Sequence, residues 1–322
     1  MPSHHETFLV DAVGTHATVD RDMVREHLDR GEFFWLDLHR PKAEELALLS
    51  EPFGLHPLAV EDAEHFGQRP KIEEFDGYVY LVVYGANADR DGLVEVHCFV
   101  SDRYLVTVHR DDCPTFAAVR RQVVEGRPPA LQPALALYRV VDALVDSFFP
   151  ELAKLDGRID ELEDGVLKQP DDAQLQQVFQ LKRRLVVWRK AISPQRDLFA
   201  RLFSGVVDIP GMTPDTERYY RDVYDHLIRI SDLIDSYRDL LTGAMDVYLS
   251  TVSNRLNEVM KRLTIVATIF MPLTWIVGFF GMNFEALVRG VVGWPMFLAL
   301  GVFTQVVAVV AMLIIFRRRS WM

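Results

Sequence analysis

The chain has 322 residues, enough for one large domain or two ordinary ones, and 49% of them are hydrophobic. A net charge of −11 argues against a nucleic-acid partner and for cations. Two cysteines, Cys98 and Cys113, form neither a metal-ligand spacing nor a disulfide framework, which suits a reducing compartment.

Residues 7 to 110 alternate short apolar runs with turn signals. "TFLVDAV", "EFFWLDL", "YVYLVVY", "LVEVHCFV" and "RYLVTVH" are rich in β-branched and aromatic residues and predict strands. Between them, "KAEELALLSEPF" and "HPLAVEDAEHF" have helical spacing, so residues 1–128 read as a mixed α/β domain. Residues 129–212 read as a helical hairpin. "ALALYRVVDALVDSFFPELAKLDGRIDELEDGVL" predicts one helix, Gln169-Pro170 a break, and "AQLQQVFQLKRRLVVWRKAI" a second helix. The acidic run Asp156, Asp160, Glu161, Glu163 and Asp164 fits a solvated helix face.

A long helix is expected from 213 to 283, with Thr213 as N-cap and Pro214 at the first helical position. No proline follows until Pro272, and Gly243 is the only glycine before the apolar region. Continuous to Asn283, this helix would hold about 70 residues and measure roughly 105 Å. A heptad-like apolar stripe on so long a helix needs neighbours, which implies an oligomer.

The last 60 residues differ in character. The run 263–280, "LTIVATIFMPLTWIVGFF", carries no charge, and neither does 291–316. Each is long enough to cross a bilayer, the first narrowly. Arg255, Lys261 and Arg262 precede the first run, and Arg317, Arg318 and Arg319 follow the second. The positive-inside rule then places both flanks in the cytoplasm and the loop "FFGMNFEALVRGVVGWP" outside. The N-terminal "MPSHHETFLVDAV" lacks the pattern of a signal peptide, so both termini are expected in the cytoplasm of a multi-pass plasma (inner) membrane protein.

Asn257, Met260, Leu263, Ala267, Met271, Thr274 and Gly278 are separated by three or four residues and share one helical stripe. It mixes neutral oxygen donors, thioethers and small residues. Interhelical packing and the lining of a pore both use such residues, and the pattern alone leaves the two open. Pro272 frees a backbone carbonyl that a neighbouring helix or a water-filled lumen would have to satisfy.

The segment "VSNRLNEVMKRLTIVATIFMPLTWIVGFFGMNFE", 252–285, resembles the first transmembrane helix and signature of the CorA family of magnesium and cobalt transporters. Gly281-Met282-Asn283 matches that family's hallmark triplet, placed at the outer end of the penultimate span and followed by a last span and a basic tail. "YYRDVYDH", "DALVDSFFPEL" and "QRPKIEEF" extend the resemblance over most of the chain. It implies a funnel-shaped homopentamer, with an α+β cytoplasmic domain of mixed sheet and long helices joined to a two-helix transmembrane domain in membrane lipid. The first span would line one central pore.

Carried onto this chain, Asn283 would supply a ring of side-chain carbonyls, supported by Gly281 and Met282. Leu263 and Met271 would be hydrophobic constrictions, and Asn257 and Thr274 polar rings, which favours the pore. The cargo implied is Mg²⁺ and Co²⁺, with Zn²⁺ transport by the same fold as an alternative. Mg²⁺ dehydrates reluctantly, so neutral amides touching its water shell suit it better than a carboxylate cage. Conduction needs weak sites, which explains an almost uncharged loop. Phe280 stands where the family commonly has Tyr, and Glu285 is the loop's only acid, so the outer attraction for cations is expected to be weak. The resemblance also implies regulation by cytosolic Mg²⁺ between protomers, at Asp222 and an acidic residue of the α/β domain, for which "ANADRDG" offers Asp89 and Asp91, Asp89 being the choice. No catalytic motif such as G-x-x-x-x-G-K-[ST], G-x-S-x-G or H-E-x-x-H is present, so no enzyme is expected; the rival from another class is a membrane-anchored sensor.

Overall fold

The computed structural model describes residues 6–17, 19–87, 92–125, 132–205, 207–282, 285–290 and 293–319. The chain divides into two units, Met1–Met245 and Asp246–Met322.

The first unit contains a seven-stranded sheet in the order β2-β1-β3-β7-β6-β5-β4. Its strands are β1 (Glu6–Val10), β2 (Thr15–His16), β3 (Phe34–His39), β4 (Lys71–Phe75), β5 (Tyr78–Ala86), β6 (Leu93–Val100) and β7 (Tyr104–His109). Only β3 and β7 pair in parallel; every other neighbouring pair is antiparallel. The strand alternation explains the continuous apolar runs. On β5, Val79, Leu81 and Val83 enter one core, while Tyr78, Tyr80, Val82 and Tyr84 enter the other. A sheet buried on both faces has no polar side to write into its sequence.

Helices α1 (Arg21–Arg30), α2 (Ala43–Phe53) and α3 (Pro57–Glu64) supply Val24, Leu46, Phe53 and Ala59 to the second of those cores. Helices α4 (Pro114–Glu125), α5 (Pro133–Asp146), α6 (Phe148–Lys168), α7 (Asp172–Leu202) and α8 (Pro214–Phe280) supply Phe116, Leu144, Leu155, Trp188 and Leu227 to the first. The five expected strands and two of the early helices are present. β2, β4, α1 and α4 were not foreseen: β2 has two residues, and β4, "KIEEF", is too polar to read as a strand.

The single helix expected over 134–167 is two helices, broken at Ser147. The Ser147 hydroxyl donates to the Leu144 carbonyl and accepts the amide of Ala86 at 2.7 Å. Gly85 makes room for this: an added Cβ there would lie 2.8 Å from Leu144 Cδ2 and 3.1 Å from Ser147 Oγ. Close approach of β5 to the helix, not helix propensity, sets the break.

α8 starts where the sequence predicts. The Thr216 amide donates to Thr213 Oγ1 at 3.2 Å, and the Thr213 amide donates to Thr216 Oγ1 at 2.7 Å, which satisfies two otherwise orphaned donors. The helix runs for 67 residues, about 100 Å at 1.5 Å per residue. Its buried hydrophobic residues are Tyr220, Val223, Leu227, Ile230, Ile234, Tyr237, Leu241, Ala244 and Tyr248, alternating three and four apart. Beyond Tyr248 no α8 residue is buried. It ends at Phe280, three residues short of the expected Asn283.

The second unit holds the rest of α8, a short helix α9 (Glu285–Gly290) and the last helix α10 (Trp294–Arg318). α10 winds as a π-helix from Phe297 to Phe303 and as an α-helix from Thr304. The apolar windows of α8 and α10 are long enough to span a membrane, and neither is buried within the chain. A core helix of a soluble protein would be covered. These are membrane-spanning helices by length, composition and exposure.

Candidate functional site

All seven residues of the predicted stripe, Asn257, Met260, Leu263, Ala267, Met271, Thr274 and Gly278, fall on α8 and are exposed. Over the same stretch the half-buried residues Ile265, Ile269, Leu273 and Ile276 recur at three- and four-residue steps, about half a turn away around the helix. Ile276, with Phe280, Met282, Phe297, Leu300 and Gly301, lines an apolar cavity of about 510 Å³. The end of the first span, at Ile276 and Phe280, thus faces α10, and the side with amide, hydroxyl and thioether groups is exposed. Met271 is 73% exposed.

Thr274 Oγ1 donates its proton to the Phe270 carbonyl at 2.8 Å. A hydroxyl whose proton is committed offers only lone pairs, so toward the stripe Thr274 is an acceptor, suited to the water shell of a cation.

At the C-terminal end of α8, the Gly281 amide donates to the Val277 carbonyl at 2.9 Å, and the Met282 amide to Phe279 at 3.3 Å. A Cβ on Gly281 would stand 3.0 Å from the Val277 oxygen, so the turn that presents the next residue closes tightly only with glycine. Asn283 lies outside the described residues. Glu285 and Arg289 form an ion pair along α9, which offsets the two charges of the loop. Trp294 stacks on Phe297 with ring centroids 5.4 Å apart.

A second constellation lies in the first unit. Asp142 and Asp146 sit one turn apart on α5, and His226 on α8 meets them; one ligand atom from each lies within 4.8 Å of the others. His226 Nδ1 is 2.9 Å from Asp146 Oδ1 but not aligned for a hydrogen bond. Burial, then the neighbouring Asp146 carboxylate, pushes the Asp142 carboxyl up to about 6. Two acids and an imidazole that crowd without satisfying one another form a set a divalent cation would relieve. Asp222, predicted as a regulatory ligand, is one turn before His226 with Oδ1 3.9 Å from its Nε2, and is exposed. Asp89, its predicted partner, lies outside the described residues. Sequence reading missed Asp142, Asp146 and His226. The available signal was the i, i+4 spacing of two pairs, Asp142–Asp146 and Asp222–His226, which no spacing rule links across helices.

The model of the family described as "CorA-like Mg2+ transporter protein" matches residues 30–318. A cobalt/magnesium transport protein CorA of Thermotoga maritima is 38% identical over 316 residues, covering 95% of this chain and 88% of that protein. Another, of Methanocaldococcus jannaschii, is 27% identical over 314 residues, covering 94% and 97%. The complete structure of the CorA magnesium transporter from M. jannaschii superposes with a TM-score of 0.82 at 23% identity, over 100% of both chains. With the signature triplet, the two spans and the fold agreeing over nearly the whole length, the chain belongs to the CorA family.

Proposed function

We propose that five copies of this chain surround one pore through which hydrated Mg²⁺, and Co²⁺ as a second cargo, enters the cell down its electrochemical gradient. The observation that carries the reading is the exposed α8 face from Asn257 to Gly278, opposite the half-buried side that includes Ile276. In the assembly, Asn283 side chains at the outer mouth hold an ion by its water, briefly, because neutral amides bind weakly enough to release it. Met271 and Leu263 form apolar rings that dewet when narrow; Thr274 and Asn257 solvate the ion on either side of that pair. The N- and C-termini lie in the cytoplasm, on the side of the basic flanks.

Cytosolic Mg²⁺ closes this pore. Asp222 supplies the ligand on α8, Asp89 is its partner on the neighbouring protomer, and the crowded Asp142–Asp146–His226 set beside Asp222 supports a cation-sensing role for this corner. Without metal the carboxylates repel across the boundary; with metal they are bridged, and the ion stabilises the closed ring by its differential affinity.

Liposomes containing only this protein test the reading. A negative-inside potential should drive Mg²⁺ uptake, with Co²⁺, Ni²⁺ and Zn²⁺ as competitors ranking the cargo. No Mg²⁺ flux at any potential would reduce the spans to anchors.

A further inference from the structure

A cleft in the first unit, between the approach to β4, the start of β6 and helices α7 and α8, encloses about 890 Å³. Four cations line it: Arg69 before β4, Arg189 and Lys190 on α7, and Arg238 on α8. Among the described residues no carboxylate belongs to the lining, in a chain whose net charge is −11. Asp235 stands beside the cleft and is shared: it pairs with Arg189 and, at 3.0 Å, with Arg238. Arg69 and Lys190 make no ion pair with any described residue. Glu95, which is nearby, is already held by the amides of Gly67 at 2.6 Å and Gln68 at 3.0 Å and lies 3.0 Å from His97 Nε2. Among the described residues one carboxylate therefore answers four cations.

Leu93, Val186 and Val187 with Tyr84 give the wall an apolar part, and Gln68 and Ser193 add neutral polar groups. Pro194, a proline inside α7, completes it. The volume falls in the range of small-molecule sites, about 300 to 1,000 Å³, far more than one phosphate needs. Guanidinium groups recognise phosphate oxygens in pairs, and a lysine adds a point charge.

We propose that this cleft binds a nucleoside polyphosphate, with its phosphates on Arg69, Lys190 and the Arg189–Arg238 pair and its base against the Leu93–Val186 wall. "QRPKIEEF", which the transport reading leaves without a role, then has one through Arg69. A polyphosphate displaces Asp235 from Arg238, a residue of the same helix that forms the first span.

Equilibrium binding of ATP to the full-length protein in detergent micelles, at low salt and without added divalent metal, tests this. ATP should bind saturably, more weakly as salt rises, with inorganic phosphate much weaker and adenosine not binding. Arg69→Gln should weaken ATP about tenfold, the loss of one charge-assisted contact, and Lys190→Glu, which also sets a carboxylate against the phosphates, should weaken it further, both at an unchanged melting temperature because both side chains are exposed. Arg158→Glu, an exposed cation on α6 outside the cleft, should leave binding as it was. Phosphate binding as tightly as ATP would overturn the base-recognising wall. No saturable ATP binding, or a change of oligomeric state in Lys190→Glu without a change in ATP affinity, would overturn the proposal and give the cleft to an acidic surface of a second copy.

Discussion

At Gly281 and Asn283 single atoms carry the argument. Asn283→Ala should abolish Mg²⁺ uptake while the protein still inserts and assembles, because one amide contributes little to folding. Asn283→Asp should retain ions at the mouth and pass few, since charged ligands bind too tightly for conduction. Both are read by flux in liposomes and by cross-linked assembly size, and wild-type flux in the alanine variant would end the selectivity-ring reading. Gly281→Ala should lower flux less severely, because its Cβ, 3.0 Å from the Val277 oxygen, shifts the turn without deleting the amide. Met271→Ser places a hydroxyl where a thioether dewets the stripe, and should raise leak or loosen discrimination among ions. Loss of assembly with no leak would make Met271 a packing residue instead.

At the scale of elements, β3 and β7 hold a buried ion pair that sets a pH window. Asp37 is fully buried, its Oδ1 lies 3.2 Å from His109 Nε2 and accepts from Thr107 at 2.7 Å, and its Oδ2 accepts from Arg120. Burial pushes the Asp37 carboxyl up, but His109, Thr107 and Arg120 outweigh burial and hold it below the usual carboxylate range. Burial lowers His109, and Asp37 outweighs that, so its value is raised. Stability from a depressed acid is lost as pH falls through its folded value, and stability from a raised histidine is lost as pH rises through its folded value. The pair should stabilise most between about pH 4 and 6.5, the unfolded values. Thermal unfolding against pH should show both limbs, and His109→Gln should remove the alkaline one. Asp37→Ala leaves Arg120 and His109 unanswered and should cost about 3–5 kcal/mol.

Much of this architecture was legible in the sequence because apolar period and caps are local. β5 and β6 showed as apolar runs, and Thr213-Pro214 marked the start of α8. The break at Ser147 was not legible, because it depends on a contact between α5 and Gly85, about sixty positions earlier. The stripe was legible as a periodicity and the triplet as a resemblance, whereas Asp142 and His226 meet only after α5 and α8 pack. The π-helical stretch in α10 left no mark that a spacing rule reads.

For the whole molecule, the regulatory proposal makes a prediction about protection from protease. Millimolar Mg²⁺ should shield the first unit in the full-length protein, and Asp222→Ala should raise the Mg²⁺ needed for half-protection about tenfold, equivalent to about 1.4 kcal/mol of lost bridging. Protection should also weaken as pH falls below about 6, where a proton competes with metal at Asp142. Asp222→Lys should be protected without metal, since a fixed positive charge takes the ion's place. Equal protection of wild type and Asp222→Ala would make Asp222 an ordinary surface carboxylate.

Beyond Tyr248, no side chain of α8 is fully buried within its own chain, and Met271 and Thr274 are exposed. In the proposed pentamer the groups that complete Met271 or Thr274 are the same groups on other copies, and a faulty copy harms its neighbours as well as itself. In a cell that makes both kinds of chain, an altered stripe should behave as a dominant trait, suppressing transport out of proportion to its share of the message. An alteration confined to the sheet core, where each chain completes itself, should be recessive.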